Sequence, residues 1–402
     1  MDNITHALAG CLMGAGALAA MARRGTAITP AIRRTTIAVG MVTAEFPDSD
    51  LVYSGDLLGM GQLAYPLHHR GHTHTVVFAL LSAVAIWAVA RAMSRAARDR
   101  EVSGVLLWLA LAGTLSHLVL DWTNNYGVHP WWPVYRGWFY GDAIFIVEPW
   151  LWVVALPPLY FLAVGRVTRA LFVLAALAIL AASWFLGQVP RPVAAVVTLG
   201  MVGWTLANAR ATPRTQLALG VLGWLVVEGV FFATSRTARR EVVRAIGPTF
   251  VDVVITPTPG DPFCLRALVV TSDGANYVLT HASVTPFPAV RGAPHCSAPA
   301  RTAPVGDPDG RPSTATIQWQ VSWRARLAEL RDLVATNCRA AAAMQYIRVP
   351  QWRRNTDGSI ELYDARYGDG SFASVTLPRD AAPCPRFVPG WRPPRQDLLA
   401  SP

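Results

Sequence analysis

Eight apolar runs separated by short polar stretches occupy the first 235 residues, at 4–21, 35–46, 75–93, 102–122, 144–164, 171–187, 193–207 and 217–233. A helix needs about 20 apolar residues to cross a bilayer, and most of these runs approach that length. The second is shorter and more polar, which predicts a helix that is tilted or shielded by its neighbours. The first lacks a basic leading region and reads as a retained membrane helix rather than a secretory signal. After residue 235 the pattern changes. Residues 250–256, 265–271 and 275–280 alternate and are rich in Val and Thr, as strands are. Residues 321–344 interleave acidic and basic positions and predict a helix. Residues 360–367 and 371–377 flank Gly368-Asp369-Gly370 and predict a hairpin. The expected fold class is a polytopic α-helical membrane domain of about eight spans (1–235) followed by a small soluble α+β domain (236–402).

Composition sharpens this picture. The 402 residues are 52% hydrophobic and only 15% charged, against about 25% charged in soluble domains. All 35 basic residues are arginine and the net charge is +10. They sit in short clusters between apolar runs, not in one patch, which argues against nucleic acid and for membrane topology. Clusters follow the first, third, fifth and seventh runs, so these ends face the cytoplasm by the positive-inside rule. The loops 48–74 and 124–142 and the tail then face the periplasm. Arg236, Arg239, Arg240 and Arg244 oppose this assignment, but long domains translocate largely regardless of flanking charge. Cys264, Cys296, Cys338 and Cys384 lie in the tail without CxxC spacing. In an oxidising compartment they predict two disulfides, with three pairings open. Cys11, alone in the first run, reads as a small packing residue.

The polar residues that interrupt the apolar pattern carry the chemistry. Four of the nine histidines fall within 68–74, with Arg70 among them. His6 begins the first run, and Asp48 and Asp50 end the second. His69 and His74 precede the third, His117 and Asp121 end the fourth, and Asp142 and Glu148 open the fifth. All lie on the same outer side, which the charge rule alone does not require. His117 and Asp121, four apart, share one helical face. Ionisable groups in a span are expensive and mark function by default. Imidazoles and carboxylates without thiolate suit zinc, with manganese or iron as alternatives. The set exceeds the needs of one tetrahedral ion, so one or two divalent ions are expected, the second sharing a bridging carboxylate. Arg70 offers a planar fork suited to an anionic oxygen.

Thr5-His6 with Gly10, Pro47-Asp48-Ser49-Asp50, His69-Arg70-Gly71-His72-Thr73-His74 and His117 with Asp121 resemble the LexA-regulated, membrane-bound, predicted metal-dependent hydrolases of bacterial inner membranes. Trp138-Phe139-Tyr140-Gly141-Asp142 through Glu148-Pro149-Trp150 resembles the longer members, which carry extra spans and a soluble tail. The resemblance covers roughly residues 1–235, and its most specific part is the His-Arg-Gly-x-Thr-His block. It implies that His6, Asp48, Asp50, His69, His74, His117 and Asp121 form the metal-binding set, with His68 and His72 as extras. Thr75 stands where the family usually has serine, and Glu148 where it often has aspartate. The His-x-x-x-Asp spacing is also similar to zinc-dependent phospholipases C, a hint toward phosphoesters.

The expected function is therefore a membrane-embedded metal-dependent hydrolase. It would act at the periplasmic face of the inner membrane on an ester, most plausibly a phosphoester of a lipid or lipid-linked substrate. Arg70 is expected to bind the substrate anion, and Asp50, Asp142 or Glu148 to handle protons. No protein partner is identifiable. A metal-ion transporter would need ionisable groups near the midplane and a path to both sides, whereas the last three runs carry almost none. A non-catalytic protein with a structural metal would have a closed, fully ligated site.

Overall fold

In the computed structural model, which describes residues 1–296, 310–380 and 382–400, all eight runs are helical. They are α1 (Asn3–Arg23), α2 (Pro30–Glu45), α3 (Val76–Met93), α4 (Arg100–Trp122), α5 (Pro149–Leu162), α6 (Arg166–Phe185), α7 (Arg191–Ala209) and α8 (Pro213–Ile246). Six of them, all but α2 and α5, are long and apolar enough to cross a membrane. At 1.5 Å per residue, the 16 residues of α2 and the 14 of α5 reach only about 24 and 21 Å, short of a ~30 Å hydrocarbon core. Both are sheltered by neighbours. Leu151 to Leu159 of α5 are buried against α1, α7 and α8.

Helices α1 and α2 touch along glycines. A Cβ on Gly10 would collide with the Gly40 carbonyl, and one on Gly40 with the Gly10 carbonyl. This backbone contact brings the start of α1 against the end of α2, where His6 and Asp48 lie. Thr43 fills the space left by Gly113 of α4 in the same way. The fifth helix begins at Pro149, not at 144. Residues 143 and 144 are not helical and donate their N–H groups to the Thr123 carbonyl, and the Glu148 carboxylate caps the helix by accepting from Trp150 N.

Helix α8 runs unbroken across residues 235–236 and carries Ala238, Val242 and Ile246 into the core of the tail. The arginines that oppose the charge rule lie on this extension, where Arg239 donates to the Val253 carbonyl at 2.6 Å and pairs with Asp252. The tail holds an antiparallel sheet in the order β1 (Phe250–Thr258), β2 (Asp261–Ser272), β3 (Asn276–Val284), β4 (Ile317–Arg326). A second sheet pairs β5 (Pro350–Arg354), β6 (Ile360–Asp364) and β7 (Ser374–Leu377). The hairpin expected around Gly368-Asp369-Gly370 is β6–β7. The helix expected over 321–344 is corrected. Residues 321–326 finish β4, paired with β3, and helices follow only at Leu327–Thr336 and Cys338–Ala343. Tyr277 and Trp352 pack around Trp323, and that lateral packing favours the strand over the helical charge pattern. The disulfides are Cys264–Cys296 and Cys338–Cys384. Cys11 is a buried free thiol.

The tail is not an appendage on a tether. Met60, Leu63, Leu67 and Tyr126 from the loops of the helical region share one core with Leu330, Met344, Tyr346, Leu362 and Val375 of the tail. Arg348 crosses this boundary with a two-pronged pair to Asp142 at 2.7 and 2.8 Å and a third bond to Asp252 at 2.9 Å.

Candidate metal centre

The site is built where helix ends and one loop converge. Helix α4 presents His117 and Asp121 one turn apart, and α1 presents His6 beside them. Asp48 and Asp50 sit in a 3-10 turn, Phe46–Asp50, that continues α2. His69 and His74 come from the loop before α3. The side chains of all seven are at least nine-tenths buried.

Two imidazoles and two carboxylates form the centre. His74 Nε2 and His117 Nε2 are 3.0 Å apart. Asp48 Oδ1 lies 3.3 and 3.4 Å from them, and Asp121 Oδ2 lies 3.0 and 3.4 Å from them. Asp48 Oδ1 and Asp121 Oδ2 are buried without a hydrogen bond. The histidine tautomers follow from their outer nitrogens. His117 Nδ1 lies 2.6 Å from the Ala44 carbonyl, which only accepts, so Nδ1 carries the proton and Nε2 turns a lone pair inward. His74 Nδ1 lies 3.0 Å from Thr73 Oγ1, whose own proton goes to Asp50 Oδ2, so that hydroxyl accepts from Nδ1 and Nε2 again faces inward, with the Asp50 carboxylate 3.4 Å away. Such outer partners are characteristic of metal-ligating histidines. Ligand bonds of ~2.0–2.1 Å at tetrahedral angles put ligand atoms about 3.3 Å apart, close to the spacing here. Asp48 also belongs to a second group with Asp50 and His69.

The surrounding residues hold this centre in place. Asp50 accepts from Arg70 N, Thr73 Oγ1 and His69 Nδ1 at 2.7–2.9 Å. Burial raises its pKa, but the bonds to His69 and His74 outweigh this and hold it below the usual carboxylate range. Arg70 has a left-handed backbone (φ 58°), an uncommon state for a non-glycine residue, which that Asp50 bond secures. His6 stacks on His117 at 3.8 Å and meets Asp121 Oδ1 at 3.2 Å. The Met1 α-amino group also pairs with Asp121 Oδ1.

Three expected roles find different geometry. The Arg70 guanidinium is buried, with Nη2 on Asp121 Oδ1 at 2.9 Å and Nη1 on Asn124 Oδ1 at 3.0 Å, stacked over Tyr126. Its partners come from the protein. Asp142 engages Arg348, and Glu148 accepts from Gly260 N of the tail at 3.1 Å as well as capping α5. Neither belongs to the His/Asp groups. His68 contacts Met60 Sδ, and His72 lies between Trp132 and Trp391.

Trp391 and His129 carried no sequence signal for the site, because the residues they support are remote in the chain. Trp391 is 2% exposed. Its indole donates to the Leu67 carbonyl at 2.9 Å and stacks on His129 at 3.9 Å. This fastens the tail to the start of the histidine loop. Burial pushes the His129 imidazole down to about 3. The unfolded chain takes up that proton near pH 6.5, so stability is full above this value and falls as the pH drops toward 3, by at most roughly 1.4 kcal/mol per unit. Thermal melts at pH 7.5 and 5 should show a larger loss for the wild type than for His129→Phe; equal losses would rule the residue out as a source of acid sensitivity.

Taken together, the long apolar helices and the buried His/Asp centre define a polytopic membrane protein with a candidate metal site. Residues 1–190 match the model of a family described as YdjM inner membrane protein, which fits a bacterial inner-membrane protein. No curated protein and no solved structure matches the chain.

Proposed function

We propose that the protein is a membrane-embedded, metal-dependent hydrolase of the inner membrane, with its centre and tail on the periplasmic side. Its substrate is an ester, in our reading a phosphoester of a lipid or lipid-linked molecule. The observation that carries this is the pair of buried ligand groups that share Asp48, one with His74, His117 and Asp121 and one with Asp50 and His69, a set larger than one closed four-ligand ion needs, with Asp48 Oδ1 and Asp121 Oδ2 left without hydrogen bonds. Unpaired buried carboxylate oxygens are costly unless a cation completes them. A divalent ion, zinc by the ligand chemistry, would supply Lewis acidity and a water of lowered pKa.

The chain's own residues do the rest. Asp48 is shared by both ligand groups and is the natural bridge if a second ion binds at Asp50 and His69. Asp50 holds the Nδ1 proton of His69, so His69 Nε2 is free to bind or accept a proton. Arg70 acts through Asp121, fixing that carboxylate rather than a substrate anion. In this reading the helix ends that carry the centre lie at the outer membrane interface, at the level of a lipid headgroup. The two tail disulfides suit the oxidising periplasm.

The test is phosphate or headgroup release from phosphatidate and polyprenyl phosphates in mixed micelles. Activity should vanish with a chelator, return with zinc or manganese, and be absent in Asp48→Asn. Metal-replete protein that releases nothing from either class would overturn the reading.

A further inference from the structure

Four large side chains on two remote loops stand in the open at the first end of helix α3. Val134 is 94% exposed, Phe387 65%, Trp131 55% and Tyr135 41%. The first loop is tied to the span itself, because the Pro130 carbonyl accepts from the N–H of Val76, the first residue of α3, at 2.9 Å. Tyr135 N donates to the Trp131 carbonyl, which turns this loop back on itself. The second loop comes from the tail and lies against the first, with Arg392 N donating to the Arg136 carbonyl at 3.0 Å. It also rests on the histidine loop, where Trp391 donates to the Leu67 carbonyl and His68 hydrogen-bonds the Phe387 backbone. Arg136, Arg386 and Arg392 are exposed on the two loops, and none of them pairs with a carboxylate among the described residues.

We infer that the two loops form a lip that docks on the bilayer, its apolar side chains entering the headgroup–acyl boundary and its arginines meeting lipid phosphates. Helix α3 sets the depth. The headgroup layer adds about 5–7 Å on each side of the hydrocarbon core. Val134 is four residues from Pro130, and four residues of chain reach at most ~14 Å, so the loop stays close to the boundary that Val76 marks. Trp and Tyr concentrate at this depth because their rings join an apolar body to a polar tip. A group of exposed apolar side chains marks a membrane or protein contact. Continuity decides for the membrane here: Val77, Leu80 and Leu81 on the first turns of α3 are exposed as well, so acyl chains reach the base of the lip. Lipid phosphates lie in the layer above, where basic side chains gain from an anionic surface. Since Arg386, Phe387 and Arg392 belong to the tail, the tail is itself seated on the bilayer and holds the histidine loop at headgroup level. None of this depends on the hydrolase reading.

The test uses full-length protein in nanodiscs of phosphatidylcholine and phosphatidylglycerol. In a Cys11→Ala background, nitroxides attached at Val134→Cys and Phe387→Cys report collisions with oxygen, which concentrates in lipid, and with a water-soluble nickel chelate. Thr356→Cys, in the exposed β5–β6 turn, is the water reference. Both lip positions should meet oxygen severalfold more and nickel severalfold less than position 356. Arg136→Gln, Arg386→Gln and Arg392→Gln together should raise nickel access at position 387 by about fivefold or more, the share of at least one arginine at an anionic surface. Nickel access at both lip positions equal to that at 356 would place the lip in water. Low access to both probes would place it in a protein interface. Either result would overturn the inference, as would nickel access at position 387 unmoved by the triple substitution.

Discussion

Detergent-purified protein is expected to contain one or two equivalents of zinc or manganese, and His74→Ala and His117→Ala to lose nearly all of it. Each histidine supplies an inward-facing Nε2 to a centre of four groups, and each is fixed through Nδ1, His74 by the Thr73 hydroxyl and His117 by the Ala44 carbonyl. Disturbing only an outer partner of a ligand typically lowers affinity about 10–100-fold, so deleting a ligand should do more. His6→Ala provides the graded comparison. It removes a stacking partner of His117 and a contact of Asp121 Oδ1, so it should keep metal with affinity lower by roughly that 10–100-fold. Elemental analysis beside a melting curve is the measurement. Folded His74→Ala with full metal content would eliminate the proposed centre.

Replacing Arg348 should release the tail. Its guanidinium is buried between Asp142 of the helical region and Asp252 of the tail, bonded to both. Burial raises the pKa of Asp252, but the arginines beside it, Arg348 foremost, hold it below the usual carboxylate range. Without Arg348, Asp252 keeps Arg239 and Arg395 beside it, whereas Asp142 loses both of its bonds to the guanidinium. Removing one partner of a buried pair costs about 3–5 kcal/mol, because an uncompensated charge remains. Arg348→Met should accordingly lower the melting temperature and expose the tail to protease. Adding Asp142→Asn and Asp252→Asn should recover much of the loss. A single variant as stable and protease-resistant as wild type would mean that the apolar core around Met60, Tyr126 and Met344 holds the tail by itself.

Much of this protein is written locally in its chain. Apolar runs of span length become helices because a helix satisfies every backbone group within itself, whatever surrounds it. Alternation of Val and Thr placed β1, β2 and β3 within a few residues for a similarly local reason. The polar intruders at His6, Asp48, Asp50, His69, His74, His117 and Asp121 stood out because an apolar helix gives them no other use. Residues 321–326 were misread because their charge spacing suits a helix, and only the pairing of β4 with β3 makes them a strand.

What sequence spacing could not supply was direction. It placed Arg70, Asp142 and Glu148 near the same membrane face but not which way each side chain turns. Tertiary packing turned Arg70 onto Asp121 and gave Asp142 to Arg348, 206 residues away. It also laid Trp391 against Leu67 across 324 residues. Which groups form the centre, and which only hold it, depends on contacts of a few ångströms between distant segments. Periodicity along one segment carries no record of those distances, so the sequence by itself determined the helices and the candidate ligands, and the tertiary structure decided their partners.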